Sequence, residues 1–212
     1  LMQLFETISY GENLEVSPGV KIMIKNAGHI LGSATCLIEA DGVKLIYTSD
    51  LGNTPSLLLN PPETYADADY VICESTNGGR VHEDVNRRRE KLGAIINSTI
   101  AKNGVLMIPS FAIERTQELL HDIDEFCSIA GCDKPEFFLD SPLAEKATTV
   151  FRKYPTFLSE ELRNEHKDND FFGLDRIHIT SSVEQSKDIE KSPNPKVIIA
   201  GSGMMNGGRI LH

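Results

Sequence analysis

Three residues of types suited to a divalent metal stand at the ends of short apolar runs in the first third of the chain. His29 sits in Ala27-Gly28-His29-Ile30-Leu31-Gly32-Ser33-Ala34, Asp50 in Ser49-Asp50-Leu51-Gly52-Asn53, and Glu74 in Cys73-Glu74-Ser75-Thr76-Asn77-Gly78. Imidazole supplies a borderline nitrogen ligand, and a carboxylate can bridge two metals while holding charge against a bound hydroxide. A glycine-flanked histidine on its own reads as a turn residue, and two ligands cannot close a site. The charge distribution bears on the choice. Residues 1–79 carry 3 Lys+Arg against 10 Asp+Glu, whereas residues 80–212 carry 18 against 21. An acidic excess is most often a solvated face; the sharper reading is a carboxylate-rich metal site.

A second group of loops suits anions. Ser110 follows an apolar run in Pro109-Ser110-Phe111-Ala112, Ser141 follows another in Asp140-Ser141-Pro142, and Ser202 follows a third in Gly201-Ser202-Gly203. Hydroxyls and free N–H groups at such places can receive phosphate. The plainer reading is that serine and proline cap helices there and glycine turns the chain.

Strands must hold these loops in place. Residues 20–24 alternate apolar and polar, residues 34–39 and 43–48 flank Ala40-Asp41-Gly42 as a hairpin, and residues 69–73 make a further short strand. Residues 53–66 are rich in proline and polar side chains and read as loop. From about residue 80 helices and strands alternate. Helices are expected over 83–102, 113–129, 143–154 and 158–166, with a polar one between the last two strands. Strands are expected over 105–108, 136–139, 176–180 and 196–200. That alternation predicts an α/β fold with a largely parallel sheet covered by helices.

Composition narrows the function classes. The chain has 212 residues, 40% of them hydrophobic, and a net charge of -10. This suffices for a core, provides no run near the ~18 apolar residues of a membrane span, and includes no broad basic stripe for non-specific nucleic-acid binding. No secretory signal opens the sequence. Cys36 and Cys73 read as core residues, and the Cys127–Cys132 spacing has no second pair to complete a zinc finger. A reducing, cytoplasmic setting fits this usage better than a disulfide does.

The motifs together resemble the β-CASP branch of the metallo-β-lactamase-fold nucleases. The first part carries Ala-Gly-His-Ile-Leu-Gly-Ser-Ala, then Ser-Asp-Leu-Gly-Asn with 21 residues from His29 to Asp50, then Glu-Ser-Thr-x-Gly. The second carries Ile-Pro-Ser-Phe-Ala-x-x-Arg-x-Gln-Glu-Leu-Leu, Asp-Ser-Pro-Leu-Ala and Gly-Ser-Gly-Met-Met-x-Gly-Gly-Arg. The wording is closer to RNA-processing members, such as RNase J and the pre-mRNA cleavage nucleases, than to DNA-repair relatives.

The resemblance implies a partial metallo-β-lactamase (αββα) domain over 1–79 and a β-CASP domain over 80–212. It implies two zinc ions, with His29 and Asp50 as ligands and Asp50 bridging. Glu74 would act beside the metal, orienting a histidine or assisting leaving-group protonation. The reaction implied is hydrolysis of RNA phosphodiesters, with single-stranded RNA as the expected partner, held by Ser110, Arg115, Ser141, Ser202 and Arg209. No membrane partner is expected; a homodimer or a processing complex is. The alternatives are a non-catalytic RNA-binding scaffold, or a metallo-hydrolase of the same fold directed at DNA or small esters.

The family's His-x-His-x-Asp-His motif is expected upstream of residue 1 and its last histidines downstream of residue 212. The chain therefore reads as a central fragment, inactive alone. Ser49 stands where the family commonly has glycine, and Asn77 where it commonly has tyrosine. His82, His121, His166 and His178 match no metal motif and read as surface or packing residues.

Overall fold

A computed structural model describes residues 4–81, 86–131, 135–165 and 171–211. The chain forms two compact units, Leu1–His82 and Glu83–His212.

The first unit is a five-stranded sheet in sequence order: β1 (Asn13–Ser17), β2 (Val20–Asn26), β3 (Ala34–Ala40), β4 (Val43–Tyr47) and β5 (Tyr70–Ile72). The first four pair antiparallel, and β5 runs parallel to β4. The expected hairpin joins β3 and β4, with Ala40 opposite Val43. Asp41 and Gly42 have φ of 51° and 76°, the double left-handed conformation of a tight primed turn.

Strand β1 was not foreseen. Asn-Leu-Glu-Val-Ser is exposed along its whole length, so burial imposes no strong apolar pattern on it. Its turn to β2 is Pro18-Gly19; proline sets the first corner and Gly19, at φ 78°, the second. The 53–66 loop contributes Leu58 and Leu59, both buried, to the interior. It is tied down by Asn26, whose Nδ2 donates to the Asn60 carbonyl at 3.1 Å.

The second unit is a wholly parallel sheet, β6 (Val105–Pro109), β7 (Glu136–Asp140), β8 (Ile177–Ile179) and β9 (Lys196–Ala200), in the order β6-β9-β7-β8. Central β9, Lys-Val-Ile-Ile-Ala, is apolar after its first residue, as a strand covered on both faces must be. Helices α1 (Asn86–Ala101), α2 (Arg115–Ala130), α3 (Pro142–Lys153), α4 (Glu160–Glu165) and α5 (Val183–Asp188) are interleaved with the strands, α3 and α4 both lying between β7 and β8. The unit is thus the expected α/β fold, a parallel sheet flanked by helices.

Local chemistry sets the helix ends. Ser141 caps α3, Pro142 opens it, and Arg152 and Lys153 complement its C-terminal dipole. Ser182 and Gln185 form a capping box on α5. Arg88 on α1 donates to Asp122 (2.9 Å) and Glu118 (3.1 Å) on α2, and Arg89 to Glu125 (3.4 Å). The start of the basic segment therefore serves helix–helix attachment. The Lys196 ammonium is buried and donates to the carbonyls of Ile189, Glu190 and Ser192 at 2.7, 3.1 and 3.0 Å.

Cys127 is buried, but Cys73 is exposed rather than in the core, because β5 lies at the sheet edge. His121 packs under Phe171, with Nδ1 3.3 Å from its carbonyl, and His178 stacks on Phe138. His82, His166, His212 and Cys132 lie outside the described residues. Among the described residues no helix is long and apolar enough to cross a membrane.

Candidate functional site

In the first unit three loops meet at one end of the sheet. The turn from β2 to β3 begins at Gly28, whose N–H donates to Asn26 Oδ1 at 2.9 Å. Ser33 Oγ then accepts the N–H groups of His29 (3.1 Å) and Ile30 (3.2 Å), which fixes the backbone that carries the imidazole. The loop after β4 is pinned to the same place by Gly52, whose N–H donates to Ala27 O at 2.9 Å.

Parallel pairing of β4 and β5 sends the chain out on the same side twice, so Asp50 and Glu74 emerge together. Thr48 joins the two exits. Its N–H donates to Ile72 O at 3.0 Å, and its Oγ1 accepts from Glu74 N–H at 3.2 Å.

His29 Nε2 and Asp50 Oδ2 are 3.9 Å apart, and their side chains are 44% and 73% exposed. Two donors each about 2.1 Å from a tetrahedral zinc ion stand about 3.4 Å apart, so this exposed pair needs a side-chain shift of about half an ångström to become two ligands of one ion. Among the described residues no three His, Cys, Asp or Glu side chains come close enough to hold a metal. Glu74 is instead occupied by backbone. Its Oε2 accepts from Thr76 N–H at 3.0 Å and its Oε1 from Leu51 N–H at 3.3 Å. Hydrogen bonds from Thr76, then Leu51, and the neighbouring His29 hold its carboxyl below the ordinary range. The ionised acceptor clamps the segment carrying Asp50.

In the second unit the C-terminal ends of β6, β7 and β9 surround a recess of about 330 Å³. Ser110, Ser141, Ser202 and Arg209 all line it, so the parallel topology brings together the three loops picked out in the sequence. Their present contacts differ. Ser110 is buried and accepts from Thr116 Oγ1 at 3.0 Å; Ser141 Oγ caps α3 through Ala144 N–H at 3.3 Å; Ser202 Oγ donates to Asn206 Oδ1 at 3.2 Å. Arg209 Nη1 donates to buried Asp140 at 2.7 Å and to Thr180 O at 3.1 Å. Arg115 does not line the recess; its exposed side chain pairs with Glu118 at 2.6 Å.

Sequence reasoning passed over several residues that position these loops. Asn26, Ser33 and Thr48 each bond a loop backbone, and the Asn-x-Gly spacing at Asn26 was the one available signal. Gln117 is fully buried and joins the loop after β6 to α3, through Ala112 O at 3.2 Å and Thr148 Oγ1 at 2.9 Å.

Residues 116–212 match the Beta-Casp domain family. The chain is 32% identical over 206 residues to ribonuclease TTHA0252 of Thermus thermophilus, covering 97% of this chain and 47% of that protein. It is 32% identical over 214 residues to transcription termination factor FttA of Methanothermobacter thermautotrophicus, covering 97% of this chain and 33% of that protein. It is also 32% identical over 213 residues to endoribonuclease YSH1 of Kluyveromyces lactis, covering 96% and 27% respectively. The chain therefore spans less than half the length of these relatives. With their parallel sheet and ordered motifs, residues 116–212 belong to the Beta-Casp domain family, and the chain as a whole is similar to these relatives.

Proposed function

We propose that the protein containing this chain is a zinc-dependent nuclease that hydrolyses RNA phosphodiesters. The observation that carries this reading is the His29–Asp50 pair, 3.9 Å apart and open to solvent on loops locked to each other. His29 and Asp50 would hold zinc as two of its ligands. When bound, zinc supplies a hydroxide near neutral pH and polarises the phosphate. Glu74, ionised and bonded to two backbone amides, acts as a positioning residue for Asp50 rather than as a proton donor. The recess of the second unit receives part of the strand, with Ser141, Ser202 and Arg209 facing its phosphates. Arg115 adds an exposed cation. In an acidic chain such local contacts must supply the attraction, so binding weakens as salt rises.

The test compares cleavage of single-stranded RNA and matched DNA by the wild-type protein and by Asp50→Ala and His29→Ala, with zinc content measured on each. RNA cleavage that falls at least a hundredfold in both variants, with lowered zinc and unchanged circular dichroism, supports the reading. Retained turnover in Asp50→Ala rejects it, as does a wild-type protein that leaves RNA uncut.

A further inference from the structure

The rim of the second unit's recess carries a group of apolar side chains that no packing requirement explains. Phe111 is 54% exposed, Leu143 61%, Met204 74% and Met205 53%. Phe111 and Leu143 line the recess, and the two methionines directly follow Gly203, which lines it too.

The Phe111 ring is not adrift in solvent. A β-carbon built on Gly203 would lie 2.8, 2.9 and 3.0 Å from Cδ2, Cε2 and Cγ of the ring. Near-equal distances to three successive ring carbons mean approach onto the face of the ring, not its edge. One face of Phe111 is therefore laid on the Gly203 backbone, and the exposure belongs to the rest. Gly203 has no positive φ, so its lack of a side chain serves this contact and not a turn.

We infer that Phe111, backed by Gly203, is a stacking platform for one unpaired base of the nucleic-acid strand. This inference rests on the nuclease reading and names a subsite within it. The chemistry of the recess selects the occupant. An exposed aromatic face and two soft, polarisable methionines suit a flat π-system. The adjoining Ser202 hydroxyl and Arg209 guanidinium suit the sugar-phosphate attached to it. At about 330 Å³ the recess is at the small end of ligand sites, room for a single nucleotide rather than a duplex. Stacking of this kind tolerates any base, because every base has a π-face.

Binding of a labelled single-stranded oligouridylate is measured in the uncut Asp50→Ala background, beside the same strand carrying abasic riboses. Phe111→Ala should weaken binding of the normal strand roughly 5- to 150-fold, the usual range for losing one base–aromatic stack. Phe111→Trp should restore it. Gly203→Ala, which displaces the ring, should weaken binding similarly and add nothing on top of Phe111→Ala. On the abasic strand all variants should bind within about twofold of one another.

Equal losses on both strands, or none on either, would overturn the platform while leaving RNA binding intact. Unchanged RNA affinity with self-association abolished in Phe111→Ala would assign the patch to a second copy of the chain and overturn it as well. Absence of binding by the parent protein would remove the nuclease reading itself, and the platform with it.

Discussion

Gly52 lies against the carbonyl of Gly28: a β-carbon on Gly52 would be 1.8 Å from that oxygen. The Asp50 loop and the His29 turn are thus in backbone contact, and the N–H of Gly52 bonded to Ala27 O closes the join. Gly52→Ala must force the two loops apart, since backbone cannot yield as a flexible side-chain tip can. It should cost about 1–3 kcal/mol in urea unfolding and lower zinc affinity along with it. Zinc binding at wild-type strength in Gly52→Ala would show that the loop contact does not set the His29–Asp50 distance.

Ser49, immediately before Asp50, has φ 53°. A side chain in the left-handed region costs roughly 1–2 kcal/mol, and glycine avoids that cost while losing more chain entropy on folding. Ser49→Gly should therefore raise stability by about 0.5 kcal/mol without altering the Thr48 contacts. The melting temperature checks the sign; a fall would mean that the serine is comfortable where it is.

Arg209 and Asp140 join positions 69 residues apart. The carboxylate is buried and also accepts the hydroxyls of Thr180 and Ser186. Arg209→Met strips a charge partner from a buried anion and should destabilise the protein by roughly 3 kcal/mol, the low end for such pairs because both hydroxyls remain. Amides of residues 201–208 should exchange faster with deuterium in the variant. Unchanged exchange there would dissociate the ion pair from loop position.

Glu74 provides a pH signature. Its carboxyl titrates below the ordinary 4.5, so the clamp on Leu51 and Thr76 is complete above that value and is lost as pH falls through the lower folded value. The amide protons of Leu51 and Thr76 should shift together with a midpoint under 4.5, and Glu74→Gln should remove the transition. A midpoint above 4.5 would contradict the clamp.

Burial lowers the His121 imidazole from 6.5, against the opposing pull of Asp122 and Glu125 and with a smaller contribution from Arg89 in the same direction. The unfolded chain then takes up a proton first as pH falls. Stability should be full above about pH 6.5 and decline below it. Thermal melts at pH 7.5 and 5.5 measure the drop, and His121→Gln should flatten it.

What could be read from the sequence divides along physical lines. The Asp41-Gly42 hairpin announced itself because two left-handed corners demand such residues, and β9 because burial on both faces leaves an apolar run. The meeting of Ser110, Ser141 and Ser202 followed from topology alone, since parallel strands deliver their C-terminal loops to one edge. Contacts that depend on distant partners were hidden. Nothing near Glu74 reveals that Leu51 claims its Oε1, and nothing near Arg209 points to Asp140. Strand β1 was hidden for the opposite reason, as an edge exposed throughout obeys few constraints.

Lys196 ends with its ammonium inside a ring of three carbonyls, doing for the 189–192 turn what a captive potassium ion would do. Such an amine cannot react with a bulky acylating reagent until the turn swings away. Its labelling rate, set beside that of exposed Lys191, is accordingly a clock for the breathing of this corner, readable by mass spectrometry.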